Sequence, residues 1–307
     1  MYMSRLVSLF AFLALIALPA CQKAEDAAPE ADVTFVIDGL TISGPDTIQP
    51  GWNRIRVENR SEMTHFLLFD KMPDSLGVWE HKQVAAVYQQ AMDLVNQGKP
   101  EEAFGAFAAL PAWFAQVQFL GGPGFIGPGD SFDMVMHVEE GRYVVECYVK
   151  TNGIFHSYTP AEDALAMVHQ LDVTGEPTTN TPPQAELAVR ISSTDGIVMA
   201  GEPVAGVQTF SVEFVDQVAH ETGLGHDVQL VRLDEGQTLE TVAPWMNVLA
   251  PTGLETPAPA HFEGGVNEMP AGQTAYFSVE LTAGRYALIA ETPDPIGKHM
   301  AIEFTIE

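Results

Sequence analysis

The sequence has few cysteines and few basic residues. Its 307 residues include 2 cysteines, and 14 lysines and arginines stand against 41 aspartates and glutamates, for a formal net charge of −27. A chain this acidic cannot neutralise phosphates, so we expect no nucleic-acid partner and no charge-driven docking onto anionic lipids. The acidity could keep the protein soluble in an exposed compartment or steer a basic partner, and solubility is the simpler explanation.

Long hydrophobic runs are also scarce. The N-terminal run LVSLFAFLALIALPA is too short for a stable transmembrane helix, and it ends in LPAC at Cys21. This ending resembles the lipobox of bacterial lipoproteins, in which a signal peptide is removed and the cysteine is lipidated. The resemblance implies a signal peptide over 1–20, a lipidated Cys21 and a tether over 21–31. The alternative is an ordinary secretory signal with a cysteine near its end.

The lipoprotein resemblance also implies a location. The mature chain would lie on the periplasmic side of the membrane and contact it only through the lipid anchor. Gln22 and Lys23 follow the lipidated cysteine where aspartate would favour retention at the inner membrane. We therefore expect anchoring in the outer membrane.

With Cys21 assigned to lipid, Cys147 has no intramolecular disulfide partner. It lies in ECYVKTNGIFH, with eight residues between it and His156. A lone thiol in an oxidising compartment needs protection or a use. Two explanations are open: Cys147 is a metal ligand at a strand end, or it is a small hydrophobic residue packed in the core.

The chain contains an internal repeat. The segment GGPGFIGPGDSFDMVMHVEEGRYVVECYV (121–149) aligns with GGVNEMPAGQTAYFSVELTAGRYALIAET (264–292), which matches the paired glycines and the GRY motif. The alignment places Ala290 opposite Cys147. Because both copies keep the glycines and GRY, these residues serve the fold, whereas Cys147 does something extra.

Alternating apolar and polar runs bounded by Gly, Pro or Asn occur in both copies, among them RIRVEN, FDMVMHV, HDVQLVRL and AYFSVEL. Such period-2 runs predict short β-strands. We therefore predict an all-β protein made of two tandem Greek-key β-sandwiches, over 32–175 and 187–307. A Thr- and Pro-rich linker over 176–186 would join them, and a helical insertion around 80–117 would lie in the first sandwich.

The first copy resembles the cupredoxin, or blue copper, family. That family has a histidine early in the sandwich, then a cysteine, a histidine and a methionine near its end. The matching residues here are His65 in ENRSEMTHFLLF, Cys147, His156, and Met167 in AMVHQLDVTG. The resemblance implies cupredoxin-like sandwiches and one type 1 copper, held by these four residues in the first.

The chemistry of this donor set agrees with the resemblance. A soft thiolate, two imidazoles and a distant thioether suit both oxidation states of copper. Copper would also hold Cys147 as a thiolate and protect it from oxidation. Copper nitrite reductases likewise have eight residues between the cysteine and the histidine.

The methionine departs from the family pattern. Ten residues, SYTPAEDALA, separate His156 from Met167, more than the family usually has. Met167 could still reach the axial position, since its offset from the last strand matches that of Met300 in the second copy. The alternatives are a three-ligand site or an axial contact from another group, with His169 as the runner-up.

The second copy lacks the thiolate. It keeps His226, His299 and Met300 but has Ala290 at the cysteine position. A type 1 site needs the thiolate, so we expect a structural or partner-binding sandwich without copper there.

Two functions follow from these features. The first is a lipid-anchored periplasmic protein that transfers single electrons to an unidentified redox partner, an electron carrier rather than a catalyst. A nitrite-reductase-like enzyme is disfavoured because no second set of histidines is evident. The alternative is a metal-free binding module whose insertion at 80–117 recognises a protein or another envelope component.

Overall fold

Alternating burial along the strands produces the architecture. In the computed structural model every second side chain of the strand Gly51–Asn59 is buried, as expected for a strand with one face on the core. The structure describes residues 31–307. The predicted signal peptide, the lipidation site Cys21 and most of the predicted tether lie outside the described residues.

The first copy contains eleven strands. They are β1 (Val33–Asp38), β2 (Thr41–Ser43), β3 (Thr47–Ile48), β4 (Gly51–Asn59), β5 (Leu68–Met72), β6 (Gln118–Phe119), β7 (Ser131–Val138), β8 (Gly141–Glu146), β9 (Lys150–Thr151), β10 (Ile154–Phe155) and β11 (Val168–Val173). The predicted strands RIRVEN and FDMVMHV fall in β4 and β7.

The second copy has eight strands and little helix. Its strands are β12 (Leu187–Ser192), β13 (Gly196–Ala200), β14 (Gly206–Phe214), β15 (Val228–Leu233), β16 (His261–Val266), β17 (Thr274–Leu281), β18 (Gly284–Ile289) and β19 (Ala301–Ile306). One short helix, α3 (Leu239–Val242), continues into a 3-10 turn over Ala243–Met246.

The long helices lie between β5 and β6, in the insertion that the sequence predicts. They are α1 (Val78–Asn96) and α2 (Pro100–Ala106), followed by 3-10 turns over Phe107–Ala109 and Ala112–Gln116. Gly98 lies between α1 and α2 with φ at +76°, a left-handed conformation that does not continue an α-helix. Glycine adopts it without strain. The predicted all-β class with a helical insertion is confirmed.

One sheet runs through both copies. It has eight strands in the order β13-β12-β14-β17-β7-β4-β1-β2, and the copies join where β17 pairs antiparallel with β7. Phe277 lies opposite Met134 in that pairing. The two copies are therefore hydrogen-bonded side by side, and residues 31–307 form one compact unit.

Each copy has a second sheet of its own. The first copy has a five-stranded sheet in the order β3-β11-β8-β5-β6, and the second a four-stranded sheet in the order β16-β15-β18-β19. Phe35 of the shared sheet packs edge-on against Phe69 of the five-stranded sheet, with ring centroids 5.8 Å apart. This packing closes the first sandwich and places β8, with Cys147 directly after it, between β11 and β5.

Among the described residues no helix is both long enough and apolar enough to cross a membrane.

Candidate metal centre

Cys147 lies at the end of a central strand. It follows β8 directly, and its side chain is fully buried. Its backbone N–H donates to the carbonyl of Met167 at 3.4 Å, which ties it to the start of β11. The thiol therefore points from a fixed backbone into the interior of the sandwich.

His65 reaches the thiol from the segment before β5. Its backbone exchanges two hydrogen bonds with Ile126, of 3.2 Å and 2.7 Å, and its ring is fully buried. Nδ1 of His65 lies 3.5 Å from Sγ of Cys147. Residues separated by 82 positions in the sequence thus meet at one point.

His156 completes the group from the hairpin of β9 and β10. Its N–H donates to the carbonyl of Val149 at 2.8 Å, and its ring centroid lies 5.1 Å from that of His65. Nε2 of His156 lies 2.9 Å from the hydroxyl oxygen of Thr151. The other ring nitrogen, Nδ1, is buried and has no hydrogen-bond partner.

The three residues fit a metal ion. One donor atom from each of His65, Cys147 and His156 lies within 4.8 Å of the others, and all three residues are buried. A buried ring nitrogen without a partner is costly, and a metal at this point would satisfy it. One thiolate with two imidazoles is a donor set typical of copper electron-transfer sites.

Burial sets the protonation of the ligands. It lowers the pKa of His65 to about 3, helped by the nearby His156 and opposed by the backbone of Gly39. It also lowers the pKa of His156 to about 4. Both imidazoles are therefore neutral at neutral pH, which is the form that binds metal.

Cys147, unlike the two histidines, must lose a proton before it can bind a metal. Burial raises the pKa of Cys147 to about 12, although hydrogen bonds from the backbones of Phe66 and Val149 favour the thiolate. Without a metal, Cys147 is a protonated thiol at neutral pH. A metal ion that binds here must displace that proton.

Met167 returns to the site despite the long gap in sequence. Its N–H donates to the carbonyl of His156 at 2.9 Å, and its side chain is fully buried. The extra segment 157–166 loops out and is held by Lys82, whose ammonium donates to the carbonyls of Ala161, Glu162 and Ala164. The backbone of Met167 therefore links Cys147 to His156, and its role as the axial ligand stays a prediction.

The runner-up His169 is engaged elsewhere. Its Nε2 lies 3.0 Å from the carbonyl oxygen of Pro45, and its ring packs edge-on against Phe35. Its ring is therefore held against the segment that carries Pro45.

The two copies pair equivalent strands in equivalent registers, in agreement with the sequence alignment. Ala290 donates its N–H to the carbonyl of Met300 at 2.9 Å, as Cys147 does to Met167. The second copy thus keeps this backbone arrangement without the thiol.

The histidines of the second copy have other partners. Nδ1 of His226 lies 3.0 Å from Nε2 of His220, and Nε2 of His226 lies 3.1 Å from a carboxylate oxygen of Asp216. Neither ring nitrogen of His226 is therefore left without a partner. His299 is exposed.

The second copy braces the ligand hairpin, a role that the sequence did not reveal. Lys150 and Thr256 are linked by a 2.9 Å backbone hydrogen bond, and the N–H of Lys150 donates to Leu254 at 2.8 Å. The carboxylate of Glu255 accepts from the N–H groups of Asn152 and Gly153 at the turn of the hairpin. Local sequence patterns do not predict contacts between residues about a hundred positions apart.

The buried ammonium of Lys150 strengthens this brace. Its Nζ donates to the carbonyls of Val248 and Ala250 at 2.9 Å and 2.8 Å. Burial lowers the pKa of Lys150 to about 8, while Glu255 and Glu291 oppose the shift. A lysine next to the ligand hairpin thus holds two backbone carbonyls of the second copy.

Comparison with known proteins finds similarity only among solved structures. No family model matches the chain, and no curated protein matches it. Auracyanin from Roseiflexus castenholzii is 20% identical over 46% of this chain and 95% of its own, with a TM-score of 0.26. Auracyanin A, a "blue" copper protein from Chloroflexus aurantiacus, is 15% identical over 46% of this chain and 96% of its own, with a TM-score of 0.26.

A longer match covers both copies. A multicopper oxidase is 13% identical over 90% of this chain and 87% of its own, with a TM-score of 0.23. The matched proteins are described as a blue copper protein, another auracyanin and a multicopper oxidase.

Proposed function

We propose that the protein binds one copper ion through Cys147, His65 and His156 and transfers single electrons. The observation that carries the proposal is the convergence of one thiol and two imidazoles, all buried, with their donor atoms within 4.8 Å. Copper, when bound, supplies a one-electron couple between Cu(I) and Cu(II).

The residues of the chain prepare the site for that couple. The backbones of Cys147 and His156 are fixed by hydrogen bonds to Met167 and Val149. Ligands held in this way rearrange little when the charge of the metal changes. Their burial also excludes water from the donor atoms.

Met167 is proposed as the axial ligand. Its buried side chain and its two backbone hydrogen bonds to the ligand residues support this role. A thioether at a long axial distance tunes the potential of such sites without rebuilding the other ligands.

The setting of this function follows from the sequence. The lipobox-like LPAC motif at Cys21 supports a lipid-anchored protein on the periplasmic side, in the outer membrane. A soluble redox protein is proposed as the partner. A net charge of −27 is compatible with a basic docking face on that partner.

Visible spectroscopy tests the proposal. We expect the chain from Gln22 onward, which contains the compact unit 31–307, to take up one equivalent of Cu(II) and to absorb intensely at about 600 nm. Cys147→Ser should abolish the band, whereas the exposed-site control His137→Gln should keep it. The band should bleach with dithionite and return on oxidation.

A colourless protein without stoichiometric copper would overturn the proposal. It would leave the metal-free binding module as the better description of the chain. A band that survives in Cys147→Ser would show that copper binds elsewhere.

A further inference from the structure

A second group of potential ligands lies beside the copper site. It comprises Asp70 in β5, His81 in α1 and Glu146 at the end of β8, and all three are buried. Nε2 of His81 lies 3.3 Å from a carboxylate oxygen of Glu146 and 3.6 Å from one of Asp70. One donor atom from each residue lies within 4.8 Å of the others.

The hydrogen bonds within this group leave two of its polar atoms without a partner. Oδ1 of Asp70 and Nδ1 of His81 are buried and have no hydrogen-bond partner. Two carboxylates share one imidazole nitrogen, and burial together with the neighbouring Glu146 raises the pKa of Asp70 well above its usual range, because two negative charges in the interior repel each other. Burying such charges is expensive unless a cation neutralises them.

The second copy shows that the fold does not need these polar groups. Strands β5 and β8 pair in the same way as β15 and β18. In the corresponding positions, Asp70 is replaced by Val231 and Glu146 by Ile289, and both apolar residues are fully buried. The carboxylates of the first copy therefore serve something other than packing.

A small cavity lies against the group. It has a volume of about 40 Å³ and is lined by His81, Glu146 and Ser157, with apolar walls that include Val84 and Tyr88. A single water needs about 10–15 Å³ of such space, so the cavity has room for two or three waters. A metal ion at the group could therefore keep an open coordination position filled by water.

We propose that Asp70, His81 and Glu146 form a second metal site for a divalent first-row ion such as Mn²⁺, Fe²⁺ or Zn²⁺. Two carboxylate oxygens and one imidazole nitrogen are harder donors than the thiolate set of the copper site and select a different metal. Glu146 and Cys147 are consecutive residues, so the two sites are joined by one peptide unit. This proposal does not depend on the copper proposal.

A proton is the competing occupant. Burial lowers the pKa of His81, but Glu146 and Asp70 raise it by more, to about 10. In that state a doubly protonated His81 neutralises Glu146 and a protonated Asp70 carries no charge, while Nδ1 of His81 and Oδ1 of Asp70 stay without partners. Metal titration separates the two occupants.

Mn²⁺ is the appropriate probe because it is hard and avoids thiolates. The chain is freed of metal with a chelator and titrated with Mn²⁺, and free Mn²⁺ is followed by electron paramagnetic resonance. The titration uses Cys147→Ser, which removes the thiolate of the copper site. We expect one bound equivalent, and at least about a tenfold loss of affinity in Asp70→Asn and in His81→Gln.

Matched controls separate ligation from surface charge. Asp74→Asn and His137→Gln change the same residue types at exposed positions and should leave Mn²⁺ binding unchanged. The double variant Asp70→Val, Glu146→Ile introduces the residues that the second copy has at these positions, Val231 and Ile289. It should fold, by far-ultraviolet circular dichroism and thermal unfolding, and should bind no Mn²⁺.

Two results would overturn the second site. One is a Cys147→Ser chain that binds neither Mn²⁺ nor Zn²⁺ as isolated or on titration. The other is Mn²⁺ binding that persists unchanged in Asp70→Asn and His81→Gln. Loss of the copper band in Cys147→Ser with retained Mn²⁺ would show that the two proposals stand apart.

Discussion

The hydroxyl oxygens of Thr151 and Thr256 lie 2.7 Å apart, which joins the second copy to the metal centre. The same Thr151 oxygen lies 2.9 Å from Nε2 of His156. A chain of three side chains therefore runs from the second copy to a ligand. Partners of this kind orient a ligating histidine and fix which ring nitrogen faces the metal.

Thr256→Val tests this positioning role. The variant keeps the shape of the side chain but removes the hydroxyl, so Thr151 loses one partner and His156 is held less firmly. We expect copper affinity to fall by about tenfold and the visible band to shift. Equilibrium titration with Cu(II) and the visible spectrum measure both effects.

The matched control is Thr252→Val, at an exposed position on the same segment. It should leave copper affinity and spectrum unchanged. Identical behaviour of the two variants would contradict a positioning role for Thr256.

In the metal-free protein the Cys147 thiol should be inert until the chain unfolds. Burial raises its pKa to about 12, and only the thiolate reacts with disulfide reagents. At pH 8 the metal-free protein should therefore react with a disulfide reagent only after denaturant is added. Fast labelling of the folded protein would contradict the burial of the thiol.

Copper binding should release a proton. Because His65 and His156 have pKa values lowered to about 3 and about 4, they are already neutral at pH 7, and only Cys147 must lose a proton. We expect close to one proton per copper, measured by calorimetry in buffers of different ionisation enthalpy. Cys147→Ser should release almost none.

Ala290→Cys should not create a second blue site. The new thiol would occupy the position equivalent to Cys147, but both ring nitrogens of His226 have hydrogen-bond partners and His299 is exposed. We expect one copper per chain and an unchanged visible absorbance, measured by metal analysis and spectroscopy. Two coppers with doubled absorbance would show that the second copy lacks only the thiol.

Glu268→Gln should change how stability depends on pH. Burial raises the pKa of Glu268 from 4.5 to about 7, Asp227 adds to the shift, and the N–H of Gly225 opposes it. The folded state therefore favours the protonated carboxyl. The contribution of protonated Glu268 to folding stability is fully present below about pH 4.5 and is lost as the pH rises through about 7.

Relative to the wild type, Glu268→Gln should become more stable to unfolding as the pH rises from about 4.5 to about 7.5. Gln keeps an acceptor for Gly225 without a charge, so we expect the difference in free energy of unfolding to grow by about 1–3 kcal/mol between pH 4.5 and 7.5. Urea unfolding at several pH values measures it. The control Glu280→Gln, at an exposed position, should show no such trend, and a flat difference for Glu268→Gln would contradict the prediction.

Much of the fold could be predicted from local sequence. Period-2 alternation identified strands such as β4 and β7 because side chains of a strand alternate between core and solvent. The helical spacing of apolar residues identified the insertion that holds α1. The alignment of Cys147 with Ala290 was recoverable because both copies keep the glycines and GRY.

The candidate copper ligands were also accessible from sequence, since residue type and order carry the resemblance. His65, Cys147 and His156 do converge in the structure. The group of Asp70, His81 and Glu146 was not accessible. Its members lie on two strands and a helix, and no spacing in the sequence relates them.

The sequence by itself therefore determined the strand pattern, the repeat and the identity of the soft donors, because these depend on residue type and short-range periodicity. Only the tertiary structure decided that one sheet joins the copies, that Thr256 supports His156 and that α1 brings His81 to two buried carboxylates. The reason is physical. Contacts between residues far apart in the chain are set by how sheets and helices pack, and local pattern does not encode that packing.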